Sequence, residues 1–417
     1  MEAHFPDVRS MVAALKPSYP VYCLRPHVLR RTVQKFLDLF PGRVLYAVKC
    51  NPHPTVLQEL YNAGIRHFDT ASLPEIAQVR EKFPEAGCYF MHPVKGRAVI
   101  QTADHVYGVD TFVVDHKDEL DKVLNETGAE GITIVVRLVT PPVEGIFFHL
   151  AGKFGAEPAA AAALLKEAHS QGAQVGLCFH VGSQCLVPGA YGKALEICGQ
   201  VLAEAKVPIQ YLDVGGGFPA QYLTNTVPPL ESFIAEIEAG VKQLGLRRDC
   251  VLMCEPGRAL VAEAMSLVVQ VQLRKDDRLY INDGIYGSLS EMVTTNLRLP
   301  ARVVRLKGPT SPDLQPFKLF GPTCDSVDVL PGSFDLPADV GEGDWIEIDR
   351  LGAYSYANTT RFNGFYPDTL VLVDDDPVPV CVRTGWSRPP TSCRTSDGMS
   401  GRVSDPPVAP RLGRGRV

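Results

Sequence analysis

From Val44 onward, short apolar runs alternate with longer stretches in which apolar residues recur at three- and four-residue spacing. Runs of the first kind read as buried strands, stretches of the second as amphipathic helices. The predicted strands are Val44 to Val48, Ile65 to Phe68, Cys88 to Met91, Thr111 to Val114, Ile132 to Leu138, Gln174 to Phe179, Ile209 to Val214 and Val251 to Cys254. Helices fall between most of them, at Pro54 to Ala63, Leu73 to Lys82, Lys117 to Leu124, Ala159 to His169, Tyr191 to Ala205 and Leu230 to Leu244. About eight strand-and-helix units in roughly 220 residues is the rhythm of a closed parallel (β/α)8 barrel. An open doubly wound sheet shares that alternation, so strand counting leaves both architectures standing.

Past about Leu260 the helical period fades. Ser266 to Leu273, Arg278 to Ile281, Ala301 to Leu306, Trp345 to Ile348 and Thr369 to Val373 are β-type runs separated by Gly, Pro and Asp. They predict an all-β second domain. Val21 to Leu24, set among Pro17, Pro20 and Pro26, reads as an edge strand that joins it, ahead of a first helix from Val28 to Leu39. The expected division is a barrel over 28–262 and a β-domain from 1–27 plus 263–380. Residues 381–417, rich in Pro, Arg, Ser and Gly, predict a disordered tail.

Composition narrows the function. The chain has 417 residues, 45% hydrophobic and 21% charged, which is ordinary globular material. A net charge of -6 argues against nucleic acid or an anionic membrane as partner and favours a small molecule. No apolar run is long enough to span a bilayer and the start is not a signal peptide, so the expected location is cytoplasmic. The 11 cysteines are scattered, with no Cys-x-x-Cys and no zinc spacing, which predicts reduced thiols and no structural metal.

Chemistry-bearing residues then fall at the C-terminal ends of predicted strands. Lys49 follows the first; a lysine leaving an apolar strand is partly desolvated, which would lower its pKa and free the amine to attack a carbonyl. His180-Val-Gly-Ser183 closes one strand and Asp213-Val-Gly215-Gly216-Gly217 the next; three glycines let backbone NH groups approach an anion. Glu255-Pro-Gly257-Arg258 closes the last, offering a carboxylate to a ring cation and a guanidinium to a phosphate. Singly, each motif is more readily a turn or a strand-end charge than a site. At one rim of one barrel they describe a site for a cofactor with an aldehyde, a ring nitrogen and a phosphate, which is pyridoxal phosphate.

The ordered motifs Tyr46-Ala-Val-Lys49-Cys-Asn, Phe68-Asp69-Thr-Ala-Ser72, Lys153-Phe-Gly-Ala, Phe179-His180-Val-Gly-Ser183, Asp213-Val-Gly-Gly-Gly217-Phe, Glu255-Pro-Gly-Arg258, Asn282-Asp283-Gly-Ile-Tyr286-Gly-Ser288, Gly321-Pro-Thr-Cys324-Asp325 and Gly352-Ala-Tyr354 give the chain a specific likeness. From about residue 20 to 375 it resembles the ornithine/diaminopimelate/arginine decarboxylases, the barrel-plus-sandwich pyridoxal enzymes, and most of all the ornithine branch. The resemblance implies that Lys49 would carry the cofactor as a Schiff base, His180 would stack on its ring, and Glu255 would face the ring nitrogen. Ser183, Gly217, Gly257, Arg258 and Tyr354 would hold the phosphate, with Gly215 and Gly216 shaping the loop and Asp69 and Arg137 near the lysine and ring hydroxyl. Cys324 would protonate the substrate Cα, and Asp325 would bind the distal amine. In this family the last two come from the second subunit, so the resemblance implies a homodimer with shared sites.

One departure bears on substrate. Where ornithine decarboxylases carry an acidic residue for the distal amine, this chain has Thr295, within Leu289 to Arg298. Glu291 would take that role beside Asp325 and Tyr286. The segment Gly145 to Ala151 is also unusually aromatic. The expected activity is decarboxylation of a basic L-amino acid, ornithine or lysine, to a diamine of the polyamine type; the alternatives are a related or modified diamino acid, a racemase, and a decarboxylase-like binding protein without catalysis. Decarboxylase-like binding proteins would lack some of Lys49, Asp69, His180, Glu255 and Cys324, and all five are present.

Overall fold

Eight parallel strands close into a barrel in chain order: Arg43–Ala47, His67–Thr70, Gly87–Phe90, Thr111–Val114, Thr133–Leu138, Gln174–Phe179, Tyr211–Asp213 and Val251–Cys254. The structure is a computed structural model and describes residues 2–142, 144–148, 152–295 and 297–380. The predicted tail, 381–417, lies outside the described residues, as do His149 to Ala151 of the aromatic segment. Pairing of Met253 with Arg43 and of Cys254 with Val44 seals the ring and decides against the open sheet. Leu45, Tyr89, Val113, Val135, Cys178 and Met253 pack together as one cluster inside the barrel. Their alternates, among them Tyr46, Phe68, Phe112, Val136 and Leu177, pack in the larger outer core with residues of the surrounding helices. Burial on both faces is why these strands read as unbroken apolar runs.

The helices start where local chemistry permits. Pro54–Asn62 and Leu73–Lys82 have proline in the first turn, where its missing N–H costs nothing. At the second, Ser72 caps the Glu75 amide and the Glu75 carboxylate reaches back to the Ala71 amide at 2.7 Å, so the chain stops abruptly after Thr70 and Asp69 is fixed at the rim. The helices Val8–Leu15 and Arg97–His105 were not predicted. Each spans little more than two turns and buries only two or three apolar residues.

The second domain corrects one expectation. Val21–Leu24 is not an edge strand: it lies between Thr369–Val373, to which it is parallel, and Met265–Lys275, to which it is antiparallel. Pro20 and Pro26 stand outside the strand and remove no ladder bond. Met265–Lys275 pairs with Val21–Leu24 and Trp345–Ile348 along its first part and, beyond a bulge between Val271 and Leu273, with Arg278–Ile281. One long strand thus belongs to both layers of the sandwich. Leu314–Phe320 and Phe334–Pro337 complete the sheet and were missed, since Pro316 and a mostly exposed first half hide the β pattern. No helix among the described residues is long and apolar enough to cross a membrane.

At the opposite end of the barrel from Lys49, Arg43 donates to the Tyr89 hydroxyl at 3.0 Å, and that hydroxyl lies 3.1 Å from His67 Nδ1. Burial, then the Arg43 charge, pulls His67 down to about 4. A base whose pKa is depressed by folding adds stability that is whole above its unfolded value near 6.5 and is lost as pH falls toward 4. Denaturant midpoints are therefore expected to drop between pH 7 and pH 5, and His67→Asn is expected to flatten that drop; an unchanged slope would remove His67 as its source.

Candidate active site

The first barrel strand ends at Ala47, and Lys49 sits one step beyond it, in a single 3-10 turn over Val48–Cys50. The second domain clamps this turn. Tyr354 N donates to Cys50 O at 2.8 Å, and the Asn51 side chain donates to Gly352 O at 2.8 Å. Lys49 Nζ pairs with Asp69, which is buried at the end of the second strand. The lysine side chain, 41% exposed, opens into a cavity of about 530 Å³. Arg137, His180, Ser183, Glu255, Arg258, Glu291 and Tyr354 line it with Lys49, so half of the predicted site residues line one cavity.

The electrostatics reverse one expectation. Burial does pull the Lys49 pKa down, but Asp69 and Glu255 outweigh it, and the lysine is held above its ordinary value as an ammonium. A neutral amine at Lys49 therefore requires relief of those carboxylates, and desolvation alone does not supply it. Glu255 and Asp213 end neighbouring strands, and burial followed by carboxylate repulsion raises both, Asp213 to about 7. Burial, then Arg137 and Lys49, keeps His180 neutral. Its Nδ1 accepts from Gly182 N at 3.0 Å, which places the ring proton on Nε2.

The glycine loop is shaped by close approach. Gly215 has φ +68°, and a Cβ there would stand 2.1 Å from Phe179 O; at Gly216 a Cβ would meet Glu255 O at 2.7 Å and His180 Nε2 at 2.9 Å. Arg258 is buried beside it. Its Nη1 donates to the Tyr222 hydroxyl at 2.9 Å and to Glu291 Oε2 at 2.9 Å; Nη2 donates to Glu291 Oε1 and lies 3.5 Å from Ser183 Oγ. Tyr354, held at φ 57°, puts its ring centre 5.0 Å from the guanidinium.

Cys324, Asp325 and Tyr286 form a second group that does not line this cavity. Asp325 accepts from the Tyr286 hydroxyl, and Cys324 Sγ, on an exposed residue, lies 3.2 Å from Asn363 Oδ1. Buried Asp328 holds the two loops together, accepting from Ile285 N at 2.9 Å and Thr323 Oγ1 at 2.7 Å. Within one chain Glu291 is not with this group: it lines the Lys49 cavity, where its carboxylate pairs with the buried Arg258. Thr295 turns its hydroxyl to Glu291 O at 2.9 Å, and the cavity is lined by Thr294 instead.

Sequence reading gave no role to Asp213, although it heads the glycine motif and a buried carboxylate there was discoverable. Met91, His92 and Asn358 also line the cavity and were given no role by the sequence, and Phe154 of the Lys153-Phe-Gly-Ala motif lines it with them. Buried Asp69 Oδ1 has no hydrogen-bond partner, which suits a donor brought by a ligand. The cavity thus brings together an amine, carboxylates and a buried guanidinium, with the glycine loop packed against Glu255 and His180.

The pyridoxal-binding domain of the pyridoxal-dependent decarboxylases matches residues 27–262. This chain belongs to that family. It is similar to the lysine/ornithine decarboxylase of Selenomonas ruminantium, 33% identical over 80% of this chain and 84% of the relative. Antizyme inhibitor 2 of Xenopus laevis is 31% identical over 79% of this chain and 76% of its own. Among solved structures, the arginine decarboxylase of Paramecium bursaria Chlorella virus bound to agmatine superposes with a TM-score of 0.79 at 27% identity, covering 88% of this chain and 99% of that one. The decarboxylase is an enzyme that uses pyridoxal phosphate, and its barrel and sandwich are those of its relatives. The residues present fit the cofactor: Lys49 for an aldehyde, Glu255 for a protonated ring and Arg258 with Ser183 for a phosphate line one cavity.

Proposed function

We propose that this decarboxylase acts on a basic L-amino acid, L-ornithine or L-lysine, releasing carbon dioxide and a diamine, as a homodimer with shared sites. The observation that carries the reading is a division of labour within one chain. Lys49, Asp69, His180 and Glu255 surround one cavity, while Cys324 and Asp325 are held ready on loops that do not reach it. A second subunit brings that pair over the cavity mouth.

Bound pyridoxal phosphate supplies an electron sink for the pair left behind when carbon dioxide departs. Lys49 would hold the cofactor through its amine and be released when the substrate's amine takes its place. Glu255 would face the cofactor's ring nitrogen and favour its protonated form, and His180, kept neutral, would contact the ring without competing for that proton. Asp69 holds and returns the lysine's proton. Cys324 of the second subunit delivers a proton to the substrate Cα, and Asp325 accepts the distal ammonium in a charge-assisted hydrogen bond. With Thr295 turned to the backbone, Asp325 carries that contact without a second carboxylate at the Thr295 position.

Two assays test this. A panel of ornithine, lysine, arginine, diaminopimelate and shorter diamino acids is expected to give carbon dioxide release from ornithine or lysine foremost; turnover only of diaminopimelate would overturn the substrate reading. Lys49→Ala and Cys324→Ala proteins, each inactive, are expected to regain activity when mixed and allowed to exchange subunits, because hybrids contain one intact site. Continued inactivity, with hybrids demonstrated by mass, would place both residues in one chain's site.

A further inference from the structure

The pairing of Glu291 with Arg258 has no place in the chemistry above. Both terminal nitrogens of Arg258 are engaged, with the Tyr222 hydroxyl on one, Glu291 on both, and Ser183 at the long distance of 3.5 Å. Glu291 is itself mostly buried, its side chain 15% exposed, and it lines the cavity with Arg258. A carboxylate gripping a guanidinium in this forked manner makes the same two bonds that a phosphate would make. A phosphate dianion reaching Arg258 meets donors already committed and a like charge alongside, so it gains contacts only as Glu291 yields them.

Resting on the reading of Arg258 as the phosphate-holding residue, we infer that Glu291 is a displaceable stand-in for the cofactor's phosphate, a built-in competitor that weakens cofactor retention and guards Arg258 when the cofactor is absent. The carboxylate is on the four-residue helix Glu291–Thr294, whose last residue, Thr294, also lines the cavity. When Glu291 withdraws, this helix moves with it, so loading the phosphate end also resets a wall of the substrate end. Such an element lets one segment report cofactor occupancy to the place where substrate binds.

The experiment is titration of apoprotein with pyridoxal phosphate, and separately with inorganic phosphate, followed by tryptophan fluorescence and by equilibrium dialysis, for wild type, Glu291→Gln and Glu291→Asp. Removing the competing charge is expected to lower the dissociation constant for both anions by roughly ten-fold or more, the scale of one charge-assisted hydrogen bond. Glu291→Asp, which keeps the charge, is expected to stay near wild type and controls for damage to the fold. Unchanged or weaker binding by Glu291→Gln would overturn the inference and make Glu291 a residue that orients Arg258 for the cofactor. Failure of the wild type to bind pyridoxal phosphate, or binding unaffected by Arg258→Met, would instead overturn the reading of the site on which the inference rests.

Discussion

Lys49→Arg is expected to leave a folded protein with no detectable decarboxylation, a loss of roughly four orders of magnitude or more, as when a covalent nucleophile is removed. Arginine preserves the cation that Asp69 and Glu255 hold in place, so the buried acids keep their partner. Its guanidinium stays protonated at any working pH and cannot attach a carbonyl. Lys49→Ala is expected to be as inactive and less stable as well, because Asp69 is left buried without its cation. Carbon dioxide release gives the first result, and the visible absorbance of the cofactor, shifted or lost in both variants, gives the second. Activity in Lys49→Arg within ten-fold of wild type would falsify the assignment of Lys49.

In the second domain, Glu347→Gln is expected to cost about 3–5 kcal/mol of stability, the usual penalty for removing one partner of a buried ion pair. Arg25 and Glu347 are both fully buried, 2.7 Å apart, and Glu347 also accepts from Ser266 at 2.7 Å. Arg25 further contacts Asp375 at 3.0 Å. Without the Glu347 charge, Arg25 keeps only a partial complement in a place water does not reach. Arg302 touches the same Glu347 but is 41% exposed, and Arg302→Met is expected to cost under about 1 kcal/mol. Urea midpoints at constant slope measure both. Equal losses in the two variants would show that burial does not set the scale here.

The barrel was legible because its strands are buried on both faces and its helices on one, so the two periods separate cleanly between Val44 and Cys254. The candidate site was legible for a related reason: Lys49, His180, Gly215 to Gly217, Glu255 and Arg258 lie within a few residues of strand ends, and strand ends are easy to find. What stayed hidden depends on non-local geometry. Val21 to Leu24 was taken for an edge because prolines flank it, and only its two distant partners show otherwise. Glu291 looked like a ligand for an amine; its attachment to Arg258, across 33 residues, follows from the fold and not from spacing. The Lys49 pKa was misjudged in direction since the carboxylates that raise it come from other strands.

The interior position of Val21–Leu24 also dictates an order of events during synthesis. Its neighbours are Met265–Lys275 and Thr369–Val373, and Arg25, which follows it, bonds to Asp375, 350 residues away. As the chain leaves the ribosome, the barrel can close once Val251–Cys254 emerges, whereas this early strand waits unpaired until Met265–Lys275 follows and keeps one side open until the last strand is made. Refolding in the test tube is therefore expected to run in two phases, fast for the barrel and slow for the sandwich, and the waiting strand is the segment a chaperone has most reason to shield.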